Sequence, residues 1–490
     1  MTLPAGQPLR TSAEVATNRV ALGYHAVQDK GRRQAPVTVL KNEDAQLSQT
    51  TKRRLDMTAQ DLPRNCELAA WALRLHVAYV SRFVPHVQTH SAEVNRLAVM
   101  ALNQASRRDS FDVARRHSRD RAMSLFELAN VFYGDAAFIK LAGGRVQAIP
   151  GVRIAKPDSY AERGANRARW AKVTDRGLII DEATGAMREA CICRWSATGN
   201  SLEFDHFEPA KNLIYNGYFT DFDQTRGASP MASCINRFKD LMEALEYTNL
   251  KIKLHALLGL AFGSDLPTGP LEPSLDGSET TTTARPKYKV ELSQGLMVMN
   301  LNPGDKVDTI ESKTPNSEFV DYSALSMRIA LLAFDIPYTF LDSSAASFSA
   351  RIADANQYEF LAAEKRQKNA EVLWDWSAWR LPDLAEGPAL SAALRQAGLT
   401  VDDVIAATEW VGVETPWVDK LKQLQGDQLA IAIGADSIPR VCRRRNLDWR
   451  TIADENGEAI RYAASKGFPV MIGQPGQARA EQDDAPNGKA

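Results

Sequence analysis

Residues 314–360, TPNSEFVDYSALSMRIALLAFDIPYTFLDSSAASFSARIADANQYEF, constrain the fold more than any other stretch of this chain. Phe319, Tyr322, Leu325, Ile329 and Leu332 recur every three or four residues and draw one apolar stripe along a helix. Ser317, after Pro315, is placed as its N-cap, and Pro337 ends it because a proline ring disfavours the helical conformation at the preceding Ile336. The next segment, Asp342 to Ser349, is built, apart from Phe348, from small side chains. A second helix is expected from about Ser349 to about Trp379. Helix, small polar loop and long helix describe a moving part or a pore lining better than an active site.

At 490 residues the chain is too long for one hydrophobic core, so two or more packing units are expected. It contains no run of eighteen apolar residues, which argues against a membrane-spanning helix, and its opening MTLPAGQPLRTSAEV lacks a secretion-signal pattern. Five scattered cysteines, an odd number, argue against a disulfide framework and fit a reducing cytoplasm. A net charge of -1 disfavours tight static DNA binding, which draws on phosphate neutralisation, and is compatible with a surface along which DNA slides.

Along the chain, residues 1–50 read as a flexible arm and 474–490 as a disordered tail. Helical patterns run over 55–91 and 91–106 and from about Ser124. Between Ala136 and Asn216 the period changes to that of strands, at 137–141, 146–149, 177–180, 189–195 and 212–215. The first half therefore reads as α+β, helices on an antiparallel sheet. Met231, Ile235, Phe238, Met242, Leu245 and Ile252 then mark a long helix to about Phe262. A Gly/Pro/Ser/Thr-rich excursion from Gly263 to Arg285 follows, with strand candidates at 287–292, 296–301 and 306–310.

Enzymatic signatures are scarce: the chain has no phosphate-binding Gly-x-x-x-x-Gly-Lys-Ser/Thr, no His-Glu-x-x-His and no Gly-x-Ser-x-Gly, so catalytic residues, metal and cofactor are all expected to be none. Cys191 and Cys193 alternate on a strand and read as packed small hydrophobes rather than a metal pair. Asp205, His206 and Glu208 form an isolated polar cluster, and Gly143-Gly144 reads as a hairpin turn. Val372, Trp376 and Trp379 can share a face of core or subunit contact. From Arg96 to Arg121 seven arginines stand against three aspartates. Arg107, Arg108, Arg115, Arg116, Arg119 and Arg121 suit either contact with DNA or a subunit-facing or solvated surface, as does Arg351; Arg443–Arg445 carry the same ambiguity.

Several strings, in order, resemble phage portal proteins of the lambda-like family. They are the Arg64-Asn65 helix start, Gln224-Thr225-Arg226-Gly227-Ala228-Ser229-Pro230, Pro315-Asn316-Ser317, Asp335-Ile336-Pro337-Tyr338, Ser343-Ser344 and Ser347 to Arg351, then Trp410 to Lys422 and Asn446 to Trp449. The family more often has glycine where Asp335 stands, and proline where Lys420 stands. The resemblance implies a portal fold: a wing (51–229), a stem helix (230–262), a clip (263–314, with Lys287 and Lys289), a second stem helix (315–336), a tunnel loop (337–348), a long wing helix (349–380) and a helical C-terminal wing or crown (381–473). Asp342, Ser343, Ser344, Ser347 and Ser349 would then face a DNA channel; without the resemblance the same loop reads as an exposed connector. The resemblance further implies a homo-oligomeric ring, generally a dodecamer, assembled in the host cytoplasm and placed at one vertex of the virion capsid. Its partners would be the major capsid protein, the large terminase, the head–tail adaptor and sliding double-stranded DNA, with no membrane. Another ring-forming connector component, or less readily a DNA-processing enzyme, is the alternative.

Overall fold

The structure is a computed structural model, and it describes residues 42–157, 167–257, 260–264, 305–309, 317–344, 346–412, 420–445, 447 and 449–467. Residues 1–41 of the expected arm, the strand candidates 287–292 and 296–301 with Lys287 and Lys289, most of the Gly263–Arg285 excursion, Trp417 and the tail 474–490 lie outside them.

The expected arm gives way to packed chain at Asn42, whose side chain caps a short helix, Glu43–Gln46. Asp44 on that helix is buried, accepting from the backbone N–H and hydroxyl of Thr225 (3.0 and 2.7 Å) and pairing with Arg176 at 2.8 Å. The helical pattern over 55–91 resolves into α1 (Gln49–Asn65) and α2 (Glu67–Val80), broken at the extended Cys66, and then a strand, β1 (Phe83–Val87). After β1 come α3 (Ala92–Ala105) and α4 (Arg119–Tyr133), ended by Gly134 in the left-handed region.

Strands β2 (Asp135–Leu141) and β3 (Arg145–Pro150) form the hairpin expected at Gly143-Gly144, and β2 also pairs β7 (Leu213–Gly217), giving an antiparallel sheet of order β3-β2-β7. A second three-stranded sheet joins β4 (Leu178–Ile180), β5 (Met187–Trp195) and β6 (Leu202–Pro209). Ala137, Ile139 and Ile149 of the first sheet pack against Leu178, Ala190 and Ile192 of the second. Strand β6 escaped the sequence reading because its LEFDHFEP carries charge throughout its length.

Beyond the sheets, α5 (Ile235–Leu257) is shorter than the pattern to Phe262 suggested: the chain turns into β8 (Leu260–Ser264), which pairs antiparallel with β9 (Asp305–Thr309). Next come α6 (Ser317–Leu331) and α7 (Phe348–Ala385), which runs past Trp379 and through Pro382. Its 38 residues span about 57 Å. Then follow α8 (Pro388–Ala397) and β10 (Thr408–Gly412), which closes an antiparallel pair with β1 across most of the sequence. The last long helices are α9 (Lys420–Ala432) and α10 (Trp449–Ser465).

Two large cores result, as chain length demands. One gathers α3, α4, β2, α8, β10 and the C-terminal half of α7; the other gathers α1, α2, the root of α5, the end of α6, and Tyr358 and Ala362 of α7. Trp376 sits in the first core 5.3 Å from Phe111 and 6.0 Å from Trp410, so the Val372–Trp376 face is core. Helix α7 thus fastens the two cores together.

Candidate functional site

Helices α5 and α6 pack on each other and share one root. Ile235 and Phe238 of α5 and Ala330 and Leu331 of α6 are buried in the second core, with Phe334 just beyond, and Leu241 is buried one turn further along α5. Past Leu241 no described residue of α5 is buried, while Leu245, Tyr247, Leu250 and Ile252 stand exposed. On α6 the stripe read from the sequence points outward: Tyr322, Leu325, Ile329 and the following Leu332 are exposed, and Val320 joins them. The buried positions are instead the small or root-proximal Ser323, Ala330 and Leu331. Small residues let two backbones approach, and the large apolar side chains are left exposed. Ser317, expected as a cap, is the first helical residue.

The turn after α6 closes on Asp335, which adopts φ 59°, the left-handed conformation that glycine takes without strain. Its N–H donates to Leu332 O, that of Ile336 donates to Leu331 O, and Lys365 Nζ of α7 donates to its carboxylate at 2.6 Å. The departure from glycine therefore keeps the geometry and adds a tether. Thr339 Oγ1 donates to Asp354 Oδ2 (2.7 Å), holding the other side of the turn. Between these anchors Asp342, Ser343, Ser344, Ser347 and Ser349 are all exposed. Asp342 accepts from Ser344 N at 2.9 Å, a bond that holds its carboxyl below the usual value. Ser347 caps α7 by accepting from Ala350 N, and Arg351 is exposed one turn on.

The arginine-rich segment divides. Arg119 is buried: it donates to Phe83 O at 3.0 Å, pairs with Asp120 and lies 4.5 Å over the Trp410 ring, so it ties α4 to the β1–β10 pair and offers no surface to DNA. Arg107, Arg108, Arg115, Arg116 and Arg121 are exposed. Arg96 pairs with Glu93 at 2.7 Å. Of the later run, Arg443 meets Gln88 and lies 4.0 Å from Glu409, while Arg445 pairs with Asp427, which places them in contacts within the subunit.

Two buried polar knots underlie this surface. Arg226 donates to both carboxylate oxygens of Asp135 (2.7 and 2.8 Å), to Gly151 O (2.7 Å), to Arg176 O (2.8 Å) and to Ile154 O. The next residue, Gly227, abuts Gly134, where a Cβ would lie 2.0 Å from the Gly134 carbonyl oxygen. This explains Arg followed by Gly physically: a five-donor fork fills the junction of α4, both sheets and the lead into α5, and the chain beside it has no room for a side chain. Burial opposes ionisation of Asp135, but Arg226 and Lys52 hold its carboxyl below the usual range.

The second knot was missed from sequence, where its members are spread from 76 to 369. Glu127 Oε1 accepts from His76 Nε2 (2.9 Å) and from the Tyr218 hydroxyl; Oε2 accepts from Lys368 Nζ (3.0 Å) and Asn369 Nδ2 (2.9 Å). Burial works against its charge, yet Lys368 and His76 keep the carboxylate ionised far below its usual range, while burial keeps His76 neutral. The knot joins α2, α4, the segment after β7, and α7.

The remaining motifs have structural accounts. Cys191 and Cys193 are fully buried beside Trp170 and Leu202. His206 bridges Asp205 and Glu208 at 3.1 Å each on β6, and among the described residues no group of acidic, His and Cys side chains is arranged to hold a metal ion. No described helix is long and apolar enough to cross a membrane.

Comparison with known proteins bears on what such a molecule is. No curated protein matches the sequence. Similar solved chains come from gene transfer agent particles: the neck of an empty particle computed with C6 symmetry (14% identity, 79% of this chain and 90% of that one, TM-score 0.39), a native virion (14%, 80% and 92%, 0.37), and the neck of a native particle computed with C12 symmetry (14%, 80% and 91%, 0.37). The sequence also matches the phage portal protein family of lambda type over residues 30–364, more than half of its length and including α5, α6 and the loop before α7. This chain belongs to the lambda family of phage portal proteins.

Proposed function

We propose that copies of this chain close into a ring, dodecameric by family resemblance, at one vertex of the capsid, and that duplex DNA enters and leaves through its centre. Helices α5 and α6 act as the stem that lines the passage. The segment 263–314 acts as the clip, which docks the large terminase during packaging and the head–tail adaptor afterwards. The loop at 337–348 faces the bore, where Asp342, Ser343, Ser344, Ser347 and Ser349 touch DNA without gripping it. Residues 51–229 and 349–380 form the wing and 381–473 the C-terminal wing or crown, and the major capsid protein is a further partner. The protein's role is structural rather than catalytic.

One observation carries the reading: a helix pair rooted in a core at one end leaves Leu245, Leu250, Tyr322, Leu325 and Ile329 uncovered. A cluster of large apolar side chains exposed on one helix pair marks an interaction face. A head-to-tail contact repeated around an axis covers it in every copy. Electron microscopy of the purified full-length protein is the test, with rings around a central hole as the expected image. Leu325→Glu with Ile329→Glu should leave a folded monomer and no rings. Deleting Ser343–Ala346, which spares the Ser347 cap, should leave rings intact but impair packaging or retention of DNA. Monomers from the wild-type protein, or undiminished packaging by the deletion, would refute the corresponding assignment.

A further inference from the structure

The first sheet carries opposite devices on its two outer edges. At the β3 edge, Val113 N donates to Val146 O (3.0 Å) and fixes a loop at 112–117. The Asp112 carboxylate accepts the backbone N–H groups of Ala114 (3.2 Å), Arg116 (2.9 Å) and His117 (3.2 Å), and Arg115 takes φ 55°. Arg115 and Arg116 are thus presented outward by a loop whose shape is already set. Asp112 and His117, which bracket them, also line a cavity of about 200 Å³ between α4 and the β2–β3 hairpin. Its lining is nearly all apolar: Phe111, Phe126 and Phe138 are buried, and Leu125 and Ala148 reach the surface. Apolar cavities of about 150 Å³ accept a benzene ring.

At the β7 edge the chain runs on into Phe219-Thr220-Asp221-Phe222-Asp223. Buried Gln224 staples this loop: its amide oxygen accepts from Thr220 N (2.7 Å) and Thr220 Oγ1 (3.1 Å), and its amide nitrogen donates to Arg226 O (2.7 Å). Phe222 is fully exposed at the tip, with an exposed aspartate on either side. A phenyl ring held in water on a stapled loop between two carboxylates matches an apolar socket whose lining includes Asp112 and His117, the residues that bracket the exposed Arg115 and Arg116. Because the sheet order is β3-β2-β7, the 112–117 loop beside the socket and the loop that carries the peg adjoin opposite outer strands of the first sheet, and a head-to-tail contact joins two such different patches.

We propose that Phe222 of one copy enters the Phe111–Phe138 cavity of the next, with Asp221 and Asp223 against Arg115 and Arg116. The occupant of the cavity is a second copy of this chain, and the inference rests on the ring reading above. The test uses the full-length chain. Phe222→Ala should raise the concentration needed for half-assembly, followed by sedimentation velocity, by at least about tenfold. Arg115→Glu with Arg116→Glu should do the same, and adding Asp221→Arg with Asp223→Arg should recover part of the loss. All these side chains are exposed, so circular dichroism and the melting temperature should not change. In a Cys442→Ser background, Asp223→Cys with Arg116→Cys should give, on mild oxidation, a ladder of multimers in steps of one chain, and neither single cysteine should. Rings that assemble normally from Phe222→Ala, or an absent ladder while the wild type forms rings, would overturn this contact and leave the ring standing. A wild type that stays monomeric would overturn both.

Discussion

Removing the Glu127 carboxylate should loosen the joint between α2, α4 and α7, and the structure sets the size of the effect. Glu127→Ala leaves four donors, on His76, Tyr218, Lys368 and Asn369, facing an empty site. Among them Lys368 becomes an unpaired, largely buried cation. Breaking a buried pair costs about 3–5 kcal/mol, and stranded neutral donors place the alanine variant at the upper end of that range. Glu127→Gln keeps an acceptor for Lys368 and Asn369 and offers its amide to the Tyr218 oxygen, so it should cost about 2–3 kcal/mol. Native-state hydrogen exchange of the α4 and α7 amides reads this local opening energy directly. The effect also has a pH signature. The folded-state pKa of Glu127 lies below the unfolded carboxylate value of about 4.3, so its contribution is complete above that value and is lost as pH falls beneath it. The gap between wild type and Glu127→Gln should therefore narrow from pH 5 towards pH 3. If both variants cost less than about 1 kcal/mol, or cost the same, the reasoning about a buried charged keystone fails.

Two further outcomes follow from the other knot. Gly227→Ala drives a methyl into the Gly134 carbonyl, which is backbone and cannot swing aside, so soluble folded protein should fall sharply in expression and melting assays; a melting temperature within a degree of wild type would contradict the packing described. Asp56 is buried beside Lys52 at 3.5 Å, and burial lifts its pKa to about 7. Because the folded value is raised, this carboxyl favours the fold below about pH 4, and that contribution is lost as pH climbs through 7. Asp56→Asn should thus gain stability relative to wild type between pH 5 and pH 8 in denaturant titrations, and a flat difference would refute it.

Local order was legible in the residues. Proline, glycine and serine punctuation marked the β2–β3 hairpin, the end of α6 and the start of α7, because those conformations are decided within a few bonds. So was the mixed helix-and-sheet character, since period follows from element type. Pairings between distant segments were not legible: β1 finds β10 more than three hundred residues away, and β6 carries too much charge to announce itself as a strand. The burial direction of α6 was not legible either. Its apolar stripe was plain from the spacing, yet the fold buries Ser323, Ala330 and Leu331 and leaves Tyr322, Leu325 and Ile329 exposed. Periodicity identifies a face that avoids water without naming what covers it. Likewise Arg119, one of a run of similar arginines, became a buried tie, because only the assembled fold brings Phe83 and Trp410 beside it. By itself the sequence determined most of the helices, several of the strands and turns, and the family to which the chain belongs. Tertiary structure alone decided which charges are buried together and which apolar faces remain uncovered, because both depend on residues that meet only after the chain has closed on itself.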